Sequence, residues 1–220
     1  MKSVLTAAIA LLLTVSIASA SVVLSASATA PTDNVAISQT VATGSNDAKM
    51  PDSGLYEAAQ TFTPAQSFTL DKVTVLARAG EDNLPTTVTL GFKLFQANAD
   101  GSYSASNVIL SDTAIAMPSD GTGTGRYFTF DLPDQLLNAG TTYGFSMWVT
   151  SGSSAGNHNL VVANSNPYAD GTSVRLNHSG TINANQTADD LVFYAQSVPE
   201  PATMSLLAIG AVAGLIRRRK

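Results

Sequence analysis

The residues able to do chemistry are few and scattered along the chain. Histidine occurs only at His158 and His178. Both sit in Asn- and Ser-rich surroundings, and neither has a second histidine at the spacing that would let two imidazoles share a metal ion. Cysteine is absent, which removes thiol nucleophiles, thiolate metal sites and disulfides together. Serines are plentiful, yet the Gly-x-Ser-x-Gly turn of a nucleophilic serine does not occur. Ser151-Gly152-Ser153-Ser154-Ala155-Gly156 reads as a loop instead. Glycoside hydrolysis needs two carboxylates flanking the scissile bond. Glu57 and Glu81, with Asp82 or Asp189, are the candidates, and all fall at predicted loops or strand ends. No catalytic residue is assigned.

Two binding chemistries fare better. A hard cation wants Asp and Asn oxygens on loops, and Asn98-x-Asp100-Gly101-x-Tyr103 resembles part of an EF-type loop. Gln96, however, stands where the first carboxylate is expected, and no bidentate glutamate follows at the twelfth place. Asn98 and Asp100 are kept as candidate ligands of one structural calcium ion, with Asp120 and Asp189-Asp190 as further contributors. The alternative is a plain hairpin turn and no cofactor. A sugar ring stacks on exposed aromatic faces beside hydrogen-bonding groups. The single tryptophan, Trp148, alternates with Tyr143, Phe145, Met147 and Val149, so in a regular strand it faces away from them. The competing reading packs it under a loop or turns it inward at a bulge. Tyr168, in Asn164-Ser165-Asn166-Pro167-Tyr168-Ala169-Asp170-Gly171, is a loop residue and the candidate second glycan contact.

The elements that must carry these side chains read as strands. From Val35 onward, short apolar and alternating stretches are broken by Gly, Asn, Asp, Ser and Pro, with no amphipathic helical run. Ten strands are predicted: 35–43, 59–62, 67–79, 86–96, 108–117, 126–132, 142–150, 160–164, 173–176 and 191–197. Val73, Val75 and Ala77 form one apolar face opposite Lys72, Thr74, Leu76 and Arg78. Val88, Leu90, Phe92 and Leu94 do the same opposite Thr87, Thr89, Gly91 and Lys93. Turns are expected at 80–83, 98–102 and 119–125. The fold class is all-β, a two-sheet antiparallel β-sandwich that is jelly-roll-like, with the core between the sheets. No internal repeat is visible.

The two ends have a different character. Lys2, the apolar stretch Val4 to Ile17 and the small-residue site Ala18-Ser19-Ala20 form the three parts of a secretory signal, with cleavage expected after Ala20 and Ala26-Ser27-Ala28 as an alternative site. At the other end, Pro199-Glu200-Pro201 is followed by the uncharged run Ala202 to Ile216 and by Arg217-Arg218-Arg219-Lys220. The prolines stop helix and sheet alike. The run suits a single apolar helix, shorter than the ~20 residues of a comfortable span, and the cations hold its end on the cytoplasmic side. Residues 1–20 are thus read as a signal peptide, 21–34 as a linker, 35–197 as the sandwich and 198–220 as a sorting tail. Between Ser21 and Val198 there are 6 basic and 15 acidic residues, a formal charge of −9. This excludes nucleic acid as a partner on electrostatic grounds.

The Pro-Glu-Pro, the apolar run and the basic terminus together resemble the PEP-CTERM sorting signal. The resemblance implies processing by an exosortase in a Gram-negative bacterium that makes exopolysaccharide. Phe62-Thr63-Pro64, Phe68-Thr69-Leu70-Asp71-Lys72-Val73, Leu94-Phe95, Phe128 to Leu132 and Leu137-Asn138-Ala139-Gly140-Thr141-Thr142-Tyr143 also resemble the choice-of-anchor β-sandwich domains. The expectation is an exported, non-enzymatic cell-surface or matrix protein, associated with exopolysaccharide or biofilm. Its partners would be the Sec translocon and an exosortase during export, with a transient hold on the inner membrane through the tail. A carbohydrate-binding module is the alternative function, and an extracellular hydrolase the second alternative.

Overall fold

Alternation along the chain sets both faces of each sheet. The structure is a computed structural model describing residues 21–42, 47–50, 56–77, 88–118, 126–151, 158–163, 167–185 and 189–198. Fourteen strands follow in chain order: β1 (Val23–Ser27), β2 (Val35–Gln39), β3 (Asp47–Met50), β4 (Glu57–Phe62), β5 (Phe68–Leu76), β6 (Thr89–Gln96), β7 (Val108–Ala116), β8 (Tyr127–Leu137), β9 (Tyr143–Ser151), β10 (His158–Ala163), β11 (Ser173–Leu176), β12 (Ile182–Asn185), β13 (Asp190–Leu191) and β14 (Phe193–Ser197). Two antiparallel sheets make a sandwich: five strands in the order β1-β8-β5-β14-β2, and six in the order β12-β11-β4-β9-β6-β7. A small β13-β10-β3 sheet accompanies them.

The inner faces are those the alternation predicts. Val73 and Val75 of β5 are buried, as are Leu90, Phe92 and Leu94 of β6 with Val88 before it. Beside Val73 and Val75 in the same sheet come Phe128, Phe130 and Leu132 of β8, and across the interface Phe92 of β6 stacks on Phe130 with ring centroids 4.8 Å apart. Removing these faces from water is the main force that closes the sandwich. Gly140 (φ +72°) forms the turn before β9, where its N–H donates to the Pro64 carbonyl at 2.9 Å and the Asn138 N–H donates to the Tyr143 hydroxyl at 3.0 Å.

Several expectations are corrected. The segment 21–34 is more than a linker, because β1 is the outer strand beside β8, with Val22 and Leu24 buried in the core and the Val22 N–H bonded to Asp112 Oδ2 at 3.0 Å. Since β1 and β2 are opposite edges of one sheet, residues 28–34 must cross about 19 Å of it. They pass over Thr129 and Gln196, enclosing a hollow of about 220 Å³. The strand predicted to end at 132 runs on to Leu137 through Pro133, which is tolerated because the β5–β8 register breaks between Leu70 and Lys72 at that level. The strand predicted over 191–197 divides at Val192, where the chain leaves β10 and joins β5. Strands β3 and β12 were not predicted. The expected signal peptide 1–20, the expected turns at 80–83 and 119–125 and the expected apolar helix 202–216 lie outside the described residues.

Candidate functional site

The outward face of the six-stranded sheet carries the densest polar cluster. Glu57 on β4, Lys93 on β6 and Ser146 on β9 all have the parity that points away from the core, and Trp148 shares it. Glu57 is nevertheless fully buried. The loop from β6 to β7 brings Tyr103 over this face, and the β11–β12 turn brings His178. Lys93 Nζ donates to Glu57 Oε1 at 2.5 Å, Ser146 Oγ to Oε2 at 2.6 Å and the Tyr103 hydroxyl to Oε2 at 3.0 Å. His178 Nδ1 lies 2.9 Å from Oε1. Lys93 Nζ donates as well to the Tyr103 hydroxyl at 2.6 Å and to the His178 carbonyl at 3.2 Å, and stands 4.7 Å from the Trp148 ring centre. Burial, and then the Glu57 charge, raise the Tyr103 phenol.

Two glycines let this layer pack. A Cβ on Gly91 would run into the Trp148 indole, which lies flat across the neighbouring strand. Gly180, at φ +86°, passes so close over Tyr103 that a side chain there would meet its carbonyl. Trp148 keeps the outward parity expected of it but is only 6% exposed, lying beside the His178 ring of the β11–β12 turn with centroids 5.2 Å apart. Four side chains crowd the two Glu57 carboxylate oxygens: Lys93, Ser146, Tyr103 and the His178 ring. Chemically the cluster is a clamp: it fixes two loops to the sheet.

The other candidates resolve separately. Asp100 Oδ1 accepts from the Ser102 N–H at 2.9 Å and the Ser102 hydroxyl at 2.6 Å, which hold this carboxyl below the usual range. Asn98 closes the same hairpin, its N–H donating to the Ser102 carbonyl at 2.8 Å. The segment is a turn that engages Asp100 Oδ1, and the described residues contain no group of three or more His, Asp or Glu placed to hold a metal ion. Asp190 is buried and accepts from Gln60 Nε2 and from the Tyr168 N–H, both at 2.9 Å; burial raises its carboxyl. His158 lies on β10, paired with Met50. Glu81, Asp82 and Asp120 lie outside the described residues.

Tyr168 does line a cleft. It belongs to the loop before β11, and its ring meets Phe193 edge-on at 5.5 Å and 88°. Burial pushes its phenol up to about 12, opposed by a hydrogen bond with the Thr63 backbone. With Ile37 and Ser38 of β2, Gln66 of the β4–β5 connection, Phe68 at the start of β5, and Asp170, it bounds a space of about 550 Å³ at the open edge of the sandwich, within the range of small-molecule sites. Tyr168 and Trp148 thus belong to different faces and make no shared surface.

The last strand reaches the same end of the molecule. β14 lies between β5 and β2, and the Val198 N–H donates to the Thr69 carbonyl at 2.9 Å. Residues 197–220 match the family model of the PEP-CTERM protein-sorting motif. The chain carries a PEP-CTERM sorting signal. No curated protein matches it. The motif marks an exported, cell-surface protein of Gram-negative bacteria that an exosortase processes. Pro199, Glu200 and Pro201, the basic stop Arg217 to Lys220, and Ala18 and Ala20 at the other end lie outside the described residues. The matched segment begins at Ser197, the last residue of β14.

Sequence reasoning did not find the Glu57 clamp. Its members are spread from position 57 to position 178, and no local motif joins them. The available signal was indirect: an outward-facing glycine, Gly91, on a strand otherwise rich in large residues, which marks a place where a neighbouring side chain must lie flat.

Proposed function

We propose that this is a non-enzymatic protein of the cell surface or extracellular matrix, released from a transient hold on the inner membrane by exosortase cleavage and associated with exopolysaccharide. The observation that carries the reading is the junction at Val198, whose backbone N–H still bonds to the sheet at Thr69 and which is followed at once in the sequence by Pro199-Glu200-Pro201 of the sorting motif. Cleavage beyond Val198 leaves every ladder hydrogen bond among the described residues in place, which suits a processing site. The saturated hydrogen bonding of Glu57 supports a structural role for the most buried acid on this face.

Fractionation of exporting cells with mass spectrometry of the mature ends tests it. The expected product starts at Ser21, lacks Arg217 to Lys220 and co-purifies with the polysaccharide fraction. A mature surface protein that keeps the basic tail would refute processing. Turnover of a chromogenic ester or glycoside that one point substitution abolishes would refute the non-enzymatic role.

A further inference from the structure

We infer that the cleft beside Tyr168 is a binding site for a neutral polysaccharide strand; the inference rests on the exopolysaccharide association proposed above and gives it a place on the molecule. Three observations converge. The cleft joins aromatic surface, Tyr168 and Phe68, to exposed hydrogen-bonding groups at Ser38, Gln66 and Asp170. A sugar ring is amphipathic in the same way, with an apolar C–H face and a rim of hydroxyls, so it meets both kinds of surface at once.

The cleft is also pre-organised. Tyr168 is fixed through its own N–H on buried Asp190 and by its ring on Phe193. The facing wall, 63–67, is tied to the turn before β9: the Gly140 N–H donates to the Pro64 carbonyl and the Ala139 N–H to Ser67 Oγ, each at 2.9 Å. Little ordering entropy remains to be lost when a ligand enters such a wall.

Charge decides the class of sugar. Asp170 is the one charged side chain among the described lining residues, and no basic group joins it. The body around it is acidic. Uronate-, sulfate- or phosphate-bearing chains would be repelled, whereas neutral hydroxyls can donate to Asp170 and Gln66. Burial pushes the Tyr168 phenol up to about 12, so it adds no negative charge at physiological pH.

The test is affinity electrophoresis and titration of the full chain in mild detergent against dextran, a soluble mixed-linkage β-glucan and a galactomannan, with alginate as the anionic control. Tyr168→Ala removes the platform, and Ser38→Trp, at an exposed position, fills the cleft without touching the core. Saturable binding to a neutral glycan, weakened at least about tenfold by Ser38→Trp and by Tyr168→Ala where that variant folds, is the expected result. Neutral-glycan binding unchanged in Ser38→Trp would overturn the cleft assignment and leave exopolysaccharide association standing. Binding confined to alginate would overturn the neutral class. Binding to none of the four would remove the site, and co-purification of the cellular protein with its own polysaccharide then decides separately whether the association itself fails.

Discussion

Replacing Lys93 with methionine tests whether the Glu57 cluster behaves as a buried clamp. The substitution keeps most of the volume under Tyr103 and beside Trp148, but takes the ammonium from the buried Glu57 carboxylate and leaves it with the His178 ring, Ser146 and Tyr103. Side-chain exposure at the pair is 12% for Lys93 and 0% for Glu57, so water cannot replace the ammonium. Breaking one side of a buried pair costs about 3–5 kcal/mol. In a domain of this size each kcal/mol moves the midpoint by about 2–4 °C, so Tm should fall by about 6–20 °C. Urea and thermal unfolding can be followed by fluorescence, because Trp148 is the single tryptophan and lies against Lys93. The double variant Glu57→Gln with Lys93→Met removes both charges and should lose less than the two single variants summed. A loss below about 1 kcal/mol in Lys93→Met, the range of exposed ion pairs, would refute the reasoning.

Three other outcomes are expected. Gly91→Ala pushes a methyl into the Trp148 indole; it should destabilise by about 1–3 kcal/mol and shift tryptophan emission to the red, and an unchanged spectrum would show that the ring has room to move. Leu24→Ala should cost about 2–5 kcal/mol in denaturant unfolding, because β1 contributes to the core; an effect of a few tenths would return 21–34 to the status of a linker. Asp190 has its carboxyl raised by burial, so the native state holds that proton more tightly than the unfolded chain does. The penalty for ionising it is fully present above the folded value, is relieved as pH falls through that value, and is absent below the unfolded one. Asp190→Asn should flatten that part of the stability–pH curve, and an unchanged curve would show that Asp190 ionises freely.

What the sequence made legible was the inner face. Alternation in Val88 to Leu94 and Tyr143 to Val149 fixes side chains by parity, and parity survives small errors in strand ends. It says nothing about what covers the opposite face, so Trp148 was placed on the correct side and yet not at the surface. β1 was missed because Val23 to Ser27, with its serines and alanine, resembles the stretch after a signal cleavage site more than a strand. β12, Ile-Asn-Ala-Asn, has too little apolar content to signal itself. The Tyr168 cleft was half legible: Pro167 and Gly171 announce a loop, but nothing local says that β2 and the residues after Phe62 form its other walls.

The position of β14 has a mechanical consequence. Any load that reaches the sandwich through the residues after Val198 enters along the axis of an inner strand with a ladder on each side, β5 and β2. Hydrogen bonds in an antiparallel ladder lie perpendicular to the strand, so such a pull shears both ladders together and does not peel their bonds one at a time. A body tethered at that point would resist drag by many bonds in concert.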